Sequence, residues 1–162
     1  MIVLALDSGI ERTGYALFNK EGNGNTKFIY LTSGLIQTSK TLTTEKRLEE
    51  IYSKLEELVK KHKPDLMVME QLLFFKNQKT AIRVSQAQGA TLLLAAHHNI
   101  PAEFLAPLQI KQIVTGYGQS DKKAVQKMLK LTLNLDLELK QDDQADAIAC
   151  GLAYCYLNKN LV

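Results

Sequence analysis

The chain has 162 residues, 46% apolar and 23% charged, with a net charge of +3 and a pI near 8.8. That is the length of one ordinary domain, 1–162, with enough apolar material for a core, and it excludes disordered, collagen-like and membrane-spanning classes. The mildly basic balance permits a nucleic-acid partner without demanding one.

The first element is IVLALD (2–7), a continuous apolar run rich in β formers, as a strand buried on both faces requires. Because the run starts at the second residue with no basic lead, the N-terminus reads as a strand and not as a signal peptide. RTGYALF (12–18) and KFIYLTSGLIQT (27–38) follow, separated by the turn signal GNGN (22–25), so three strands form an antiparallel meander. Thr43 and Thr44 are candidate caps for the next element, where Leu48, Ile51, Leu55, Leu58 and Val59 recur at helical spacing. Lys60, Lys61 and Lys63 suit the negative end of that helix, and Pro64 stops it.

DLMVME (65–70) is a second buried strand. A long helix rich in small residues runs from about Lys79 to His98. AEFL is a short strand, Pro107 starts another helix, and GYGQS is a loop. Ser120 is the expected cap of a basic helix, DKKAVQKMLKL. After LNLDLELK comes a last helix, DDQADAIACGLAYCYL. The order βββαβα…α predicts an α/β mixed sheet flanked by helices. Cys150 and Cys155, five apart in that helix, suit neither a zinc knuckle nor a redox pair and read as reduced, buried thiols of a cytoplasmic protein.

Asp7 ends the first strand, Glu70 ends the strand after the crossover helix, and two acids open the last helix. Taken singly, each is most simply a turn residue or a helix cap, Asp142 above all. Their conjunction points further. Asp143 and Asp146, three apart, share a helix face, although Asp142 and Asp146, four apart, do so equally well. Carboxylates gathered from strand ends and a helix start offer oxygen ligands to hard divalent cations, and such ions catalyse phosphodiester displacement without His or Cys.

The stretches LALDSGIERTGYALF, YLTSGLIQT, PDLMVMEQLLFFKN, the AQG of the long helix, QIKQIVTGYGQSDKKAVQ and DDQADAIACGLAYCY, in this order and spacing, resemble the RuvC family of Holliday junction resolvases over nearly the whole chain. The resemblance implies a ribonuclease H-like fold with a mixed five-stranded sheet. It implies a homodimeric endonuclease that nicks two strands of a four-way DNA junction symmetrically, leaving 5′-phosphate and 3′-hydroxyl ends. Its cofactor would be Mg²⁺ or Mn²⁺, two ions per active site, held by the catalytic acids Asp7, Glu70, Asp143 and Asp146. The family's Asp-x-x-Asp spacing favours Asp143 over Asp142. A branch-migration helicase complex is a further partner that it allows.

The family carries an aromatic wedge after its catalytic Glu-Gln. Here Leu73 aligns with that position and Phe74 follows, so either Phe74 takes the role or the loop is shifted by one. The family's junction-binding lysines match Lys111 and Lys122. Lys76, Lys79 and Arg83 at the start of the long helix, and Lys123 beside Lys122, extend the basic set expected at phosphates. A solvated face is the simpler account of Lys127 and Lys130. Ala87, Gly89, Ala90, Ala95 and Ala96 let another element approach the long helix, which in the family lies at the dimer interface. Two other readings of the same residues are a nuclease for structured RNA and a non-catalytic nucleic-acid-binding domain of the same fold.

Overall fold

The computed structural model describes residues 1–21, 27–72, 78–134 and 141–158. The three N-terminal strands are β1 (Ile2–Asp7), β2 (Arg12–Glu21) and β3 (Lys27–Gln37), paired antiparallel in sequence order. The GNGN turn between β2 and β3 lies outside the described residues. Helix α1 (Thr44–His62) crosses over to β4 (Leu66–Glu70), and α2 (Gln78–His97) crosses over to β5 (Ala102–Leu105). Both crossovers give parallel pairs, so the sheet is mixed and five-stranded in the order β3-β2-β1-β4-β5. Helices α3 (Pro107–Thr115), α4 (Lys122–Leu133) and α5 (Asp142–Leu157) complete the chain.

β1 lies at the centre of the sheet, and its alternation serves two cores, because successive side chains of a strand point to opposite faces. Val3 and Ala5 join Phe18, Val68, Leu129 and Ile148 beneath α3, α4 and α5. Leu4 and Leu6 join Leu17, Met67, Met69, Ile51 and Leu55 beneath α1 and α2. α1 buries Ile51, Leu55 and Val59 at four-residue spacing. Each such side chain stabilises the fold by about 1.5–3 kcal/mol on full burial. That helix ends on Lys63 in the left-handed region, φ 47°, whose N–H donates to the Val59 carbonyl.

Two cap assignments need correcting. Asp121, not Ser120, caps α4, its side chain accepting from the Ala124 N–H at 2.7 Å. The Ser120 hydroxyl is engaged by Thr115 Oγ1 at 2.7 Å instead. Gln141 occupies the cap position of α5, and Asp142 stands inside the first turn, where Lys122 Nζ reaches its carboxylate at 3.2 Å. Thr43 does sit at the α1 cap position, but its side chain makes no cap hydrogen bond.

Two glycines let α5 lie close on the sheet. A Cβ on Gly14 would stand 1.9 Å from the Asp143 carbonyl oxygen, and one on Gly151 would stand 2.3 Å from the Phe18 ring. Glycine inside a strand marks such a close backbone approach. Gly14 also pairs with Asp7 across β1 and β2, so the last helix begins directly over the strand end that carries the first acid.

Candidate functional site

β1 and β4 run parallel in register from Val3↔Leu66 to Leu6↔Met69, which puts the next residues, Asp7 and Glu70, side by side at the C-terminal ends of the two strands. The first turn of α5, seated on Gly14, adds Asp143 and Asp146. All four carboxylates line one pocket of about 390 Å³, together with Ser8, Gly9, Gln88 and Pro107. The gathering of acids anticipated from the sequence is therefore present.

Crowding shows in their protonation. Burial, reinforced by the charges of Asp146, Glu70 and Asp143, pushes Asp7 up to about 8. Burial and Asp146 push Glu70 up to about 7 against the opposing fields of Lys111 and Lys122. Asp146 is also raised, by burial first, with Lys122 opposing and Asp142 and Asp143 adding to the rise. A carboxylate displaced this far is destabilised as an anion until positive charge arrives.

Two of the acids have cationic neighbours. Arg12 Nε lies 2.9 Å from Asp143 Oδ2, and Lys122 Nζ lies 3.7 Å from Asp146 Oδ2. The Arg12 contact is one of charge only, because Asp143 Oδ2 is buried without a directed hydrogen bond. Ser8 Oγ is likewise buried and unpaired beside Asp7. Among the described residues, no three His, Cys, Asp or Glu side chains already stand at the spacing of a closed metal shell. The donor set nevertheless fits a hard divalent cation. It is all oxygen, it contains a buried carboxylate oxygen without a directed hydrogen bond, and its mutual repulsion is what such an ion relieves.

Lys111 and Lys122 share a second cleft, of about 180 Å³, with Glu70 and Asp146. On the opposite side, Arg83 and Arg12 line a pocket of about 420 Å³ that shares Gly9, Val84 and Asp143 with the acidic one. Lys123 is separate. It lines an outer groove on α4 with Lys127 and Lys130, and none of the four acids reaches that groove. Leu73, Phe74 and Lys76 lie outside the described residues, and Lys79 is described in backbone only, in the first turn of α2.

Three participants were not anticipated in these positions. Arg12 was read only as the start of a strand, and its partner lies at the far end of the chain. Ser8 sits in the turn next to Asp7. Gln88, from the AQG stretch, donates Nε2 to the Glu70 carbonyl at 3.0 Å and ties α2 to the end of β4. The turn after Asp7 is held by Thr13 Oγ1 donating to the Gly9 carbonyl at 2.8 Å.

The model of the family "Crossover junction endodeoxyribonuclease RuvC" matches residues 3–155. The protein of that name from Thermosipho melanesiensis is 44% identical over 155 residues, covering 96% of each chain. Among solved structures, Thermus thermophilus RuvC superposes with a TM-score of 0.86 at 27% identity, over 98% of this chain and 96% of that one. The same protein in complex with a Holliday junction substrate gives 0.85 at 24% identity, with the same coverage, and adds a likeness of fold. The fold is α/β and ribonuclease H-like.

Proposed function

The chain belongs to the RuvC family of crossover junction endodeoxyribonucleases, and from that premise we propose that it resolves four-way DNA junctions by hydrolysis at Asp7, Glu70, Asp143 and Asp146. It is an endodeoxyribonuclease, and its family's hydrolysis requires a divalent metal ion. The observation that carries the assignment of residues is the convergence of four carboxylates from three distant stretches on one pocket.

In this reading the four acids hold Mg²⁺ or Mn²⁺, two per site, which when bound would activate a water and stabilise the departing 3′ oxygen. Asp7 and Glu70 are fixed by the sheet register and cannot separate without breaking it. Asp143 and Asp146 are carried by α5, whose start rests on Gly14. Lys111 and Lys122 sit where the phosphate charge would lie against Glu70 and Asp146. They offset that charge and position the strand without reading its sequence. Hydrolysis with the 3′ oxygen as leaving group leaves 5′-phosphate and 3′-hydroxyl ends.

A homodimer completes the activity, because two sites related by a twofold axis can nick two symmetric strands. The surface that suits it is the outer face of α2. Ala87 and Ala95 are buried against the sheet and α1, whereas Ile82, Leu92 and Leu93 are exposed and Gly89 faces open space. A cytoplasmic setting accords with the two buried free thiols, both raised by burial away from reactivity.

The test is cleavage of a synthetic four-way junction with Mg²⁺ or Mn²⁺, with nick positions mapped on all strands. Paired symmetric nicks are expected, and a junction left intact by pure folded protein would overturn the reading.

A further inference from the structure

The acidic pocket pairs its charges unevenly. Asp143 has Arg12 against it and Asp146 has Lys122, while Asp7 and Glu70 face no cation at contact distance among the described residues. Arg12 lies over the one carboxylate oxygen among the described residues that is both buried and without a directed hydrogen bond. The contact is therefore held by charge without the directed hydrogen bonds that make arginine–carboxylate forks strong, so another cation can replace it. The Arg12 side chain is also 45% exposed, and it borders the pocket that contains Arg83. An alternative partner for its guanidinium is thus within reach if an anion enters there, because arginine forks match phosphate oxygens well.

We propose that Arg12 is a positioning residue that competes with the divalent ion for Asp143 and is released when a backbone phosphate enters the Arg12–Arg83 pocket. The inference rests on the nuclease reading above and goes beyond it by coupling ion loading to strand binding. Without DNA, Arg12 occupies Asp143 and weakens ion binding. With DNA, the guanidinium transfers to phosphate, Asp143 is freed, and the site loads. Ion binding in the absence of substrate is thereby suppressed. Lys122 stands in a parallel relation to Asp146, but it is also shared with Asp142 and so has less to gain from release.

The test is Mn²⁺ titration by calorimetry on the full chain. Arg12→Gln should bind Mn²⁺ about three- to tenfold more tightly than the parent without DNA, the range expected for losing one partly buried ion pair. Arg12→Lys, which keeps the charge, should stay within about twofold of the parent. Arg83→Gln removes a nearby charge that does not touch Asp143 and reports the through-space field alone, so its gain should be smaller. In an Asp143→Asn background, Arg12→Gln should change nothing. With a short DNA duplex present, the gap between parent and Arg12→Gln should close. Equal or weaker binding by Arg12→Gln overturns the proposal, as does an equal gain in Arg83→Gln or a gap that persists with DNA. If the parent binds Mn²⁺ and Asp7→Asn weakens it, only the role of Arg12 has failed. A parent that binds no Mn²⁺ removes the nuclease reading as well.

Discussion

Replacing Asp7 with asparagine removes the most displaced carboxyl group of the pocket while keeping its shape. Asp7 rises from its ordinary 3.8 to about 8. At ~1.4 kcal/mol per pH unit, holding it ionised in the fold costs at most about 6 kcal/mol. Relaxation and water entry reduce that to about 2–3 kcal/mol. The sign follows from proton linkage. The folded chain keeps the Asp7 proton between about 4 and 8 and the unfolded chain does not, so this contribution to stability is full below 3.8 and is lost as pH rises through about 8. Asp7→Asn has no such loss. In chelator it should melt roughly 5–10 °C above the parent at about pH 9, given ~2–4 °C per kcal/mol for a chain of this size. The advantage should be much smaller at about pH 4. Thermal unfolding at the two pH values checks this. A separation that does not grow with pH, or a variant that melts lower at high pH, would refute the account of crowded anions. Millimolar Mn²⁺ supplies a second arm by raising the melting temperature of the parent at high pH but hardly moving the variant.

Asp143→Asn should bind junctions normally in a gel shift and lose cleavage by about 10²-fold or more, since one ligand of a charge-stabilising site is gone. Lys122→Ala should weaken junction binding and lower the slope of log affinity against log salt by about one phosphate contact, as read from binding at a series of salt concentrations. It should also raise the apparent pKa of Asp146, because Lys122 opposes the rise there. A pH–rate profile displaced to higher pH reports that change. Gly151→Ala places a methyl group against Phe18 and Ala5 and should cost about 1–3 kcal/mol in denaturant unfolding, with junction affinity little changed.

The order of strands and helices could be read from periodicity in the helices and from length and β-forming composition in the short apolar runs 2–7 and 65–70, which suit strands covered on both faces. The gathering of acids was readable for the same reason: residues at the ends of such runs emerge together where the strands end. The caps were not. Ser120 and Asp121 are both favoured at an N-cap, and the choice between them was made by Thr115, which engages Ser120 from the preceding helix. Asp142 stands one residue inside α5, and its carboxylate meets the Lys122 ammonium. The pairing of Arg12 with Asp143 is a contact between the two ends of the chain, and no local pattern encodes it. Lys123 illustrates the limit of counting charges, because neighbours on a helix point about 100° apart and only Lys122 turns to the acids.

The contact between Gly14 and the start of α5 is made by main chain upon main chain. Peptide units have no rotamers to choose among, so this seat cannot be re-tuned by exchanging one apolar side chain for another. Whatever apolar side chains fill the layers beneath, the main-chain carbonyl of Asp143 still rests against the same hard stop. The height of the first turn of α5 above the sheet is thereby set at a single bare position.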